Sequence, residues 1–225
     1  MQDIERIIRI YKKRMDLDET LPALAEQHTA QAAEQYAAKL GEHMAKAIVA
    51  SAELAGMSEE EAKPFMRTLL EQVHKDASKV ARIAQEAINR AAGTGLAPLV
   101  ADFDSGLSDI ISEDIAGREL AEGYVVNQLA NHAISGVDNT FIKNAGAHER
   151  LGLSVHIVRR YSGHGLHDGK DPCEWCIARA GEWTSNAAAK AAGAFERHPG
   201  CLCTIEYESR KTHTVQSRGG MWTDV

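Results

Sequence analysis

All four cysteines of this 225-residue chain fall between positions 173 and 203. They form one pattern: Cys173-x2-Cys176, twenty-one residues, then His198-x2-Cys201-x-Cys203. No other feature limits the fold as strongly, because thiols this concentrated must be cross-linked, metal-bound or packed together. A C-x2-C turn points two sulfurs into one space. A second pair from a distant segment completes a tetrahedron of Zn–S bonds of about 2.3 Å. Cys201 and Cys203 are two residues apart, so in an extended strand their side chains share a face. His198 is a fifth donor, and a closed zinc site takes four. Cys173, Cys176 and Cys203 are the first choices; His198 and Cys201 compete for the remaining position.

Other readings of the cysteines stay open. Two disulfides would suit an oxidising compartment. The first residues, MQDIERIIRIYKKRMD, carry charges throughout and lack the apolar stretch of a signal peptide, which argues against export. A C-x2-C redox pair sits at a helix N-terminus after a strand and needs no second C-x-C. Reduced, buried, unliganded thiols are a further alternative. A Cys/His nucleophile needs one activated thiol and an orienting partner, and four cysteines around one histidine look more like ligands. The adopted reading is a structural, non-catalytic zinc site. Residues 151–225 support it, because a core that small supplies only a few kcal/mol and a metal is a usual supplement.

Composition divides the chain at about the same place. Residues 1–150 carry eight acidic charges in excess, whereas residues 151–225 carry one positive charge in excess. Half of the twelve aromatic residues lie at or after Tyr161. The net charge of −7 argues against a protein that coats polyanions through phosphate neutralisation. No run of about 18 apolar residues exists, so no membrane contact is expected.

The acidic front reads as helices. Ile4, Ile7, Ile8, Tyr11 and Met15 make an apolar stripe at spacings of three and four. Thr20 is a candidate N-cap with Pro22 in the first turn, and no proline interrupts the chain from there to Ala55. Tyr36, Leu40, Met44 and Ile48 recur every fourth residue. This predicts one continuous helix of about 50 Å. Ser58-Glu59-Glu60-Glu61 fits a capping box, although Pro64 implies a kink or a later start nearer Lys63. Phe65, Leu69, Val73 and Val80 give the buried face up to about Ala92. A short helix is expected around 107–115. Another is expected from about Arg118 to Lys143, buried through Leu120, Val125, Leu129, Val137 and Phe141.

The back carries the chemistry. Val155, Ile157, Arg159 and Tyr161 alternate with His156, Val158 and Arg160 as in a strand. The loop Gly163-His164-Gly165-Leu166-His167-Asp168-Gly169-Lys170 nearly matches two phosphate-binding motifs and fails both. A P-loop needs four residues between its glycines and Ser or Thr after the lysine, and a dinucleotide fingerprint needs glycine at position 168. His164 and His167 are secondary candidates to reach a metal. His28 and His43 read as solvated residues on helix faces. Trp175 and Trp183 are expected to flank the metal loops. Glu182-Trp183-Thr184 reads as a short strand, and Ala187–Ala192 as a helical turn ended by Gly193.

The strings CEWCIARAGEW and FERHPGCLCTIEYES, with the tail from Gln216 to Trp222, resemble the C-terminal signature of phage minor capsid or head-morphogenesis proteins, the Mu F-like group. In that group a C-x2-C, a nearby glycine and an H-P-x-C-x-C stretch close the domain. This chain matches at Cys173, Cys176, Gly181, His198, Pro199, Cys201 and Cys203, over about 50 residues. A long helical front also fits the group's layout. The resemblance implies a virion protein acting at or near the portal vertex, assembled in the bacterial cytoplasm. The portal protein and the major capsid protein are the implied partners. Packaged DNA is a further candidate contact, and oligomerisation is left open. No catalysis is implied.

The expected architecture is therefore α+β. Residues 1–150 form a long-helix bundle for assembly contacts, and residues 151–225 form a small zinc-stabilised α/β module. Two alternatives come from other classes. A zinc-dependent hydrolase of nuclease or deaminase type would keep an open metal position, and the chain has no H-x-E or H-E-x-x-H. A nucleic-acid-binding zinc module would use Arg159, Arg160, Lys170, Arg179, Arg197, Arg210, Lys211 and Arg218 as a local basic face.

Overall fold

The computed structural model describes residues 2–51, 57–116, 122–162, 173–198, 200–201, 203–211, 214–216 and 222–224. Its first helices are α1 (Gln2–Leu17), α2 (Thr20–Glu26) and α3 (Ala30–Ser51). The continuous helix expected from Thr20 to Ala55 is thus broken. His28 takes the left-handed conformation with φ 53°, which a helix interior does not allow. Thr29 restarts the chain as a cap: its hydroxyl accepts from the Ala32 N–H at 3.1 Å. Helix α2 differs: Glu19 holds its N-cap position without a side-chain cap bond, and Asp18 before it accepts the Thr20 N–H at 2.9 Å, so Thr20 is the first helical residue and not the cap.

Helix α3 is the centre of the bundle. Leu40, Met44 and Ile48 are buried on one side, and Ala32, Ala33, Ala37 and Ala45 bury others. Its alanine and glycine content lets neighbouring backbones approach. A Cβ at Gly41 would lie 2.4 Å from the Ala130 backbone of α6. Helix α4 (Glu59–Ala91) begins at the full Ser58 capping box and runs through Pro64 without restarting at Lys63. Next come α5 (Ser105–Ala116) and α6 (Glu122–Arg150). Helix α6 continues seven residues past Lys143, and Leu120 lies outside the described residues. Between α4 and α5 the extended chain is held by polar side chains of α6. Asn144 bonds both the N–H and the C=O of Leu99, and Thr140 accepts the Ala101 N–H.

The back adds β1 (Leu153–Arg160), α7 (Glu174–Ile177), β2 (Gly181–Trp183), α8 (Asn186–Ala191) and β3 (Thr204–Lys211). A short hairpin of β4 (Thr214–Gln216) and β5 (Trp222–Asp224) follows. The main sheet is antiparallel, in the order β2-β1-β3. Ile157 stands opposite Tyr207 on one side and Trp183 on the other. Its inner face presents Val155, Ile157, Ile205 and Tyr207 to the helices, and these join one hydrophobic cluster with Leu40, Leu69, Val80 and Phe141. The core is therefore continuous across residue 150. The protein is mainly helical, with a small antiparallel sheet near its C-terminus, an α+β arrangement. Among the described residues no helix is long and apolar enough to cross a membrane.

Candidate metal centre

The cysteines converge at one end of the sheet. Strand β1 runs out into Tyr161, whose hydroxyl accepts the Cys173 N–H at 3.1 Å. Cys173 then leads into the single turn of α7, so Cys173 and Cys176 lie on the same side of one helical turn. The chain returns through β2 and α8 and reverses at Gly193, with φ 67°. It turns again at Gly200, φ 78°, where the Cys201 N–H reaches the His198 carbonyl at 3.0 Å. From α6, the Asn131 amide donates to the same carbonyl. Cys201 and Cys203 then lie just before β3.

All five sequence candidates come together. The His198 Nε2 lies 3.2 Å from the Cys173 sulfur and 2.9 Å from the Cys176 sulfur. The Cys176 and Cys201 sulfurs are 3.7 Å apart. Two sulfurs bound to one tetrahedral ion by bonds of about 2.3 Å stand about 3.8 Å apart. A disulfide would need about 2.05 Å; all four thiols are free. Two donor groups result, Cys173–Cys176–His198 and Cys176–Cys201–Cys203, each with its ligand atoms within 4.8 Å of one another. Cys176 belongs to both. The four cysteines are buried and His198 is half-buried. This cluster can hold a metal ion.

Without a metal the thiols share protons unevenly. The hydrogen bond from Cys201 draws Cys203 down to about 7. The same bond, together with burial, raises Cys201 well above the usual thiol range. Burial pushes Cys176 up to about 11. A metal ion would displace these protons, so its binding must be linked to pH.

The surroundings hold residues whose roles the sequence reading missed. Arg197, next to His198, is buried and pairs with Asp138 of α6 at 2.5 Å and with Glu34 of α3 at 3.4 Å. Its Nη1 also donates to the Cys203 carbonyl at 2.8 Å. Burial, then the charge of Asp138, raises the Glu34 carboxyl well above the usual range. Arg159 is 2 % exposed and donates from Nη2 to the Cys201 sulfur at 3.5 Å. Trp175 meets the His198 ring edge-on with centres 5.1 Å apart, and the Arg179 guanidinium lies 3.8 Å from its ring centre. One signal for Arg159 was present in the sequence. It shares the inward face of its strand with Val155 and Ile157.

The remaining candidates separate. Arg159 and Arg197 are withdrawn from the expected basic face, and Arg160, Arg179 and Arg210 are each paired with a glutamate. Trp183 packs against the main hydrophobic core and not against the cysteines. His28 is exposed in the turn between α2 and α3. His43 is not solvated: it is largely buried and bonds Asp18 at 2.8 Å. The loop from Gly163 to Lys170, with His164 and His167, lies outside the described residues, as do Pro199 and Arg218. No family model matches this chain, and comparison with curated proteins and with solved structures finds no match.

Proposed function

We propose that this chain is a structural protein of a phage head, of the minor capsid or head-morphogenesis kind. Its Cys/His cluster binds one zinc ion and performs no reaction. The observation that carries the metal reading is the donor set itself: four buried sulfurs and one imidazole gathered together, with no carboxylate among them in the described residues. Soft thiolates with an imidazole suit zinc and not the hard cations magnesium or calcium, which take oxygen ligands. Five donors for four positions leave no open place for substrate, as expected of a structural site. Cys173, Cys176, Cys201 and Cys203 would hold the ion, or three of them with His198.

The phage reading rests on the sequence signature. Of the seven residues that carry the resemblance, five, Cys173, Cys176, His198, Cys201 and Cys203, also meet in space. The ion would fasten the chain around 173–203 and, through Arg197 and Asn131, tie it to α3 and α6. The helical front would then be held in one orientation for contacts with the portal and major capsid proteins.

Two measurements test the proposal. Elemental analysis of the purified chain should return about one zinc per molecule. Co-expression with a portal protein from the same genome should yield a complex that survives size-exclusion chromatography. Folded protein that takes up no zinc from solution would remove the metal reading. Failure to associate with either portal or major capsid protein would remove the phage reading.

A further inference from the structure

Among the described residues Arg159 is the largest fully buried side chain. Its Nη1 donates to the carbonyl oxygens of Ala194 and Glu196, and its Nη2 to the Cys201 sulfur at 3.5 Å. Its guanidinium carbon lies 5.5 Å from the centre of the Trp175 ring. Among the described residues no carboxylate pairs with it. Arg197 is the contrast: its side chain, 3 % exposed, also reaches the Cys201 sulfur, at 3.9 Å, but it is met by Asp138 and Glu34. A buried guanidinium without a counter-charge is strongly disfavoured, because it gives up its hydration without recovering an ion pair. Carbonyl dipoles and a ring face reduce that cost without cancelling the charge.

A cluster of protonated thiols offers no negative charge. A divalent ion with three thiolates and one imidazole carries −1, and with four thiolates −2. The sulfur that Arg159 hydrogen-bonds is that of Cys201, so the missing charge falls where the guanidinium already points. An N–H donated to a metal-bound thiolate also withdraws electron density from it and fixes its orientation, as hydrogen-bond partners around metal ligands do.

We infer that Arg159 is a positioning residue of the metal centre, its buried guanidinium serving as counter-charge to the metal–thiolate cluster and holding the Cys201 sulfur in place. This rests on the metal-site reading proposed above. It goes further by assigning to a strand residue, outside the Cys/His pattern, control over how tightly the ion is held.

The test uses the full chain with zinc and with cobalt(II) as a spectroscopic probe. Affinity is measured by competition with a chromophoric chelator for the wild type, Arg159→Met and Arg159→Lys. The Met variant preserves much of the volume and removes the charge. It should bind zinc about 10–100-fold more weakly, and its sulfur-to-cobalt charge-transfer bands should move to lower energy. The Lys variant keeps the charge and loses the fork, so it should recover most of the affinity while its bands still shift. A Met variant within about threefold of wild type, with unshifted bands, overturns the inference and leaves the metal site standing. Wild type that binds neither ion overturns the site itself. If the Met variant does not fold, the Lys variant decides: bands identical to wild type refute the hold on Cys201, and shifted bands support it.

Discussion

The Nε of Arg197 lies 2.5 Å from Oδ2 of Asp138, and both side chains are buried, at 3 % and 2 % exposure. One residue stands beside a candidate metal ligand and the other in the middle of helix α6. The pair therefore joins the Cys/His cluster to the helical core. Glu34 of α3 completes the arrangement, reaching Arg197 at 3.4 Å and the Ile205 N–H at 2.8 Å. Burying an ion pair is a weak source of net stability, but leaving one partner alone is costly.

Replacing Asp138 with Asn should therefore destabilise the protein strongly, by about 3–5 kcal/mol. Urea unfolding followed by circular dichroism measures this directly. A loss below about 1 kcal/mol would mean that Glu34 alone satisfies Arg197.

Cys176 belongs to both donor groups, so it should be the most sensitive ligand. Cys176→Ser is expected to drop zinc stoichiometry from about one to near zero. The thermal midpoint should fall to that of wild type treated with chelator. Most of the helical circular dichroism should persist in both samples, because α1 to α6 bury their own apolar faces. Equal stoichiometry in the variant and wild type would show that the other donors suffice.

Gly41 should reverse the usual helix preference. At an open helical position Gly→Ala stabilises by up to about 1 kcal/mol. Here the added Cβ would lie 2.4 Å from the Ala130 Cα and nitrogen, both backbone atoms. The α3–α6 crossing must open to admit it. Gly41→Ala is expected to cost at least about 1–3 kcal/mol, the range for overpacking, measurable by the shift in urea midpoint.

Acid should weaken the fold through His132. Burial, and then the nearby His74, lower its pKa from 6.5 to about 4. In the unfolded chain it returns to its ordinary value, so between about pH 6.5 and 4 the unfolded state binds more protons. The stability from keeping this ring neutral is complete above pH 6.5 and is lost as pH falls towards 4. A shift of this size corresponds to about 3 kcal/mol. His132→Leu should flatten that part of the stability–pH profile, and an unchanged slope between pH 6.5 and 4 would assign acid sensitivity to other groups.

Much of the architecture was legible because it is local. The stripe of Ile7 and Tyr11, the Ser58 capping box, the alternation of Val155 and Ile157, and the stop at Gly193 all depend on neighbours within a few residues. The break at His28 was missed because its signal is a single left-handed backbone conformation in an otherwise helix-forming run. His43 looked solvated because its partner, Asp18, belongs to the connection before α2. The spacing of Cys173, Cys176, His198, Cys201 and Cys203 marked the candidate ligands, since a short turn or strand dictates where neighbouring side chains point. Arg159 and Arg197 were another matter. On the sequence they are two cations among several, open to a role on the surface. Their burial beside the cysteines follows from the way β1, α3 and α6 close on the cluster. What a charge does depends on the groups that surround it, and those groups come from segments far apart in the chain, so only the folded arrangement assigns it.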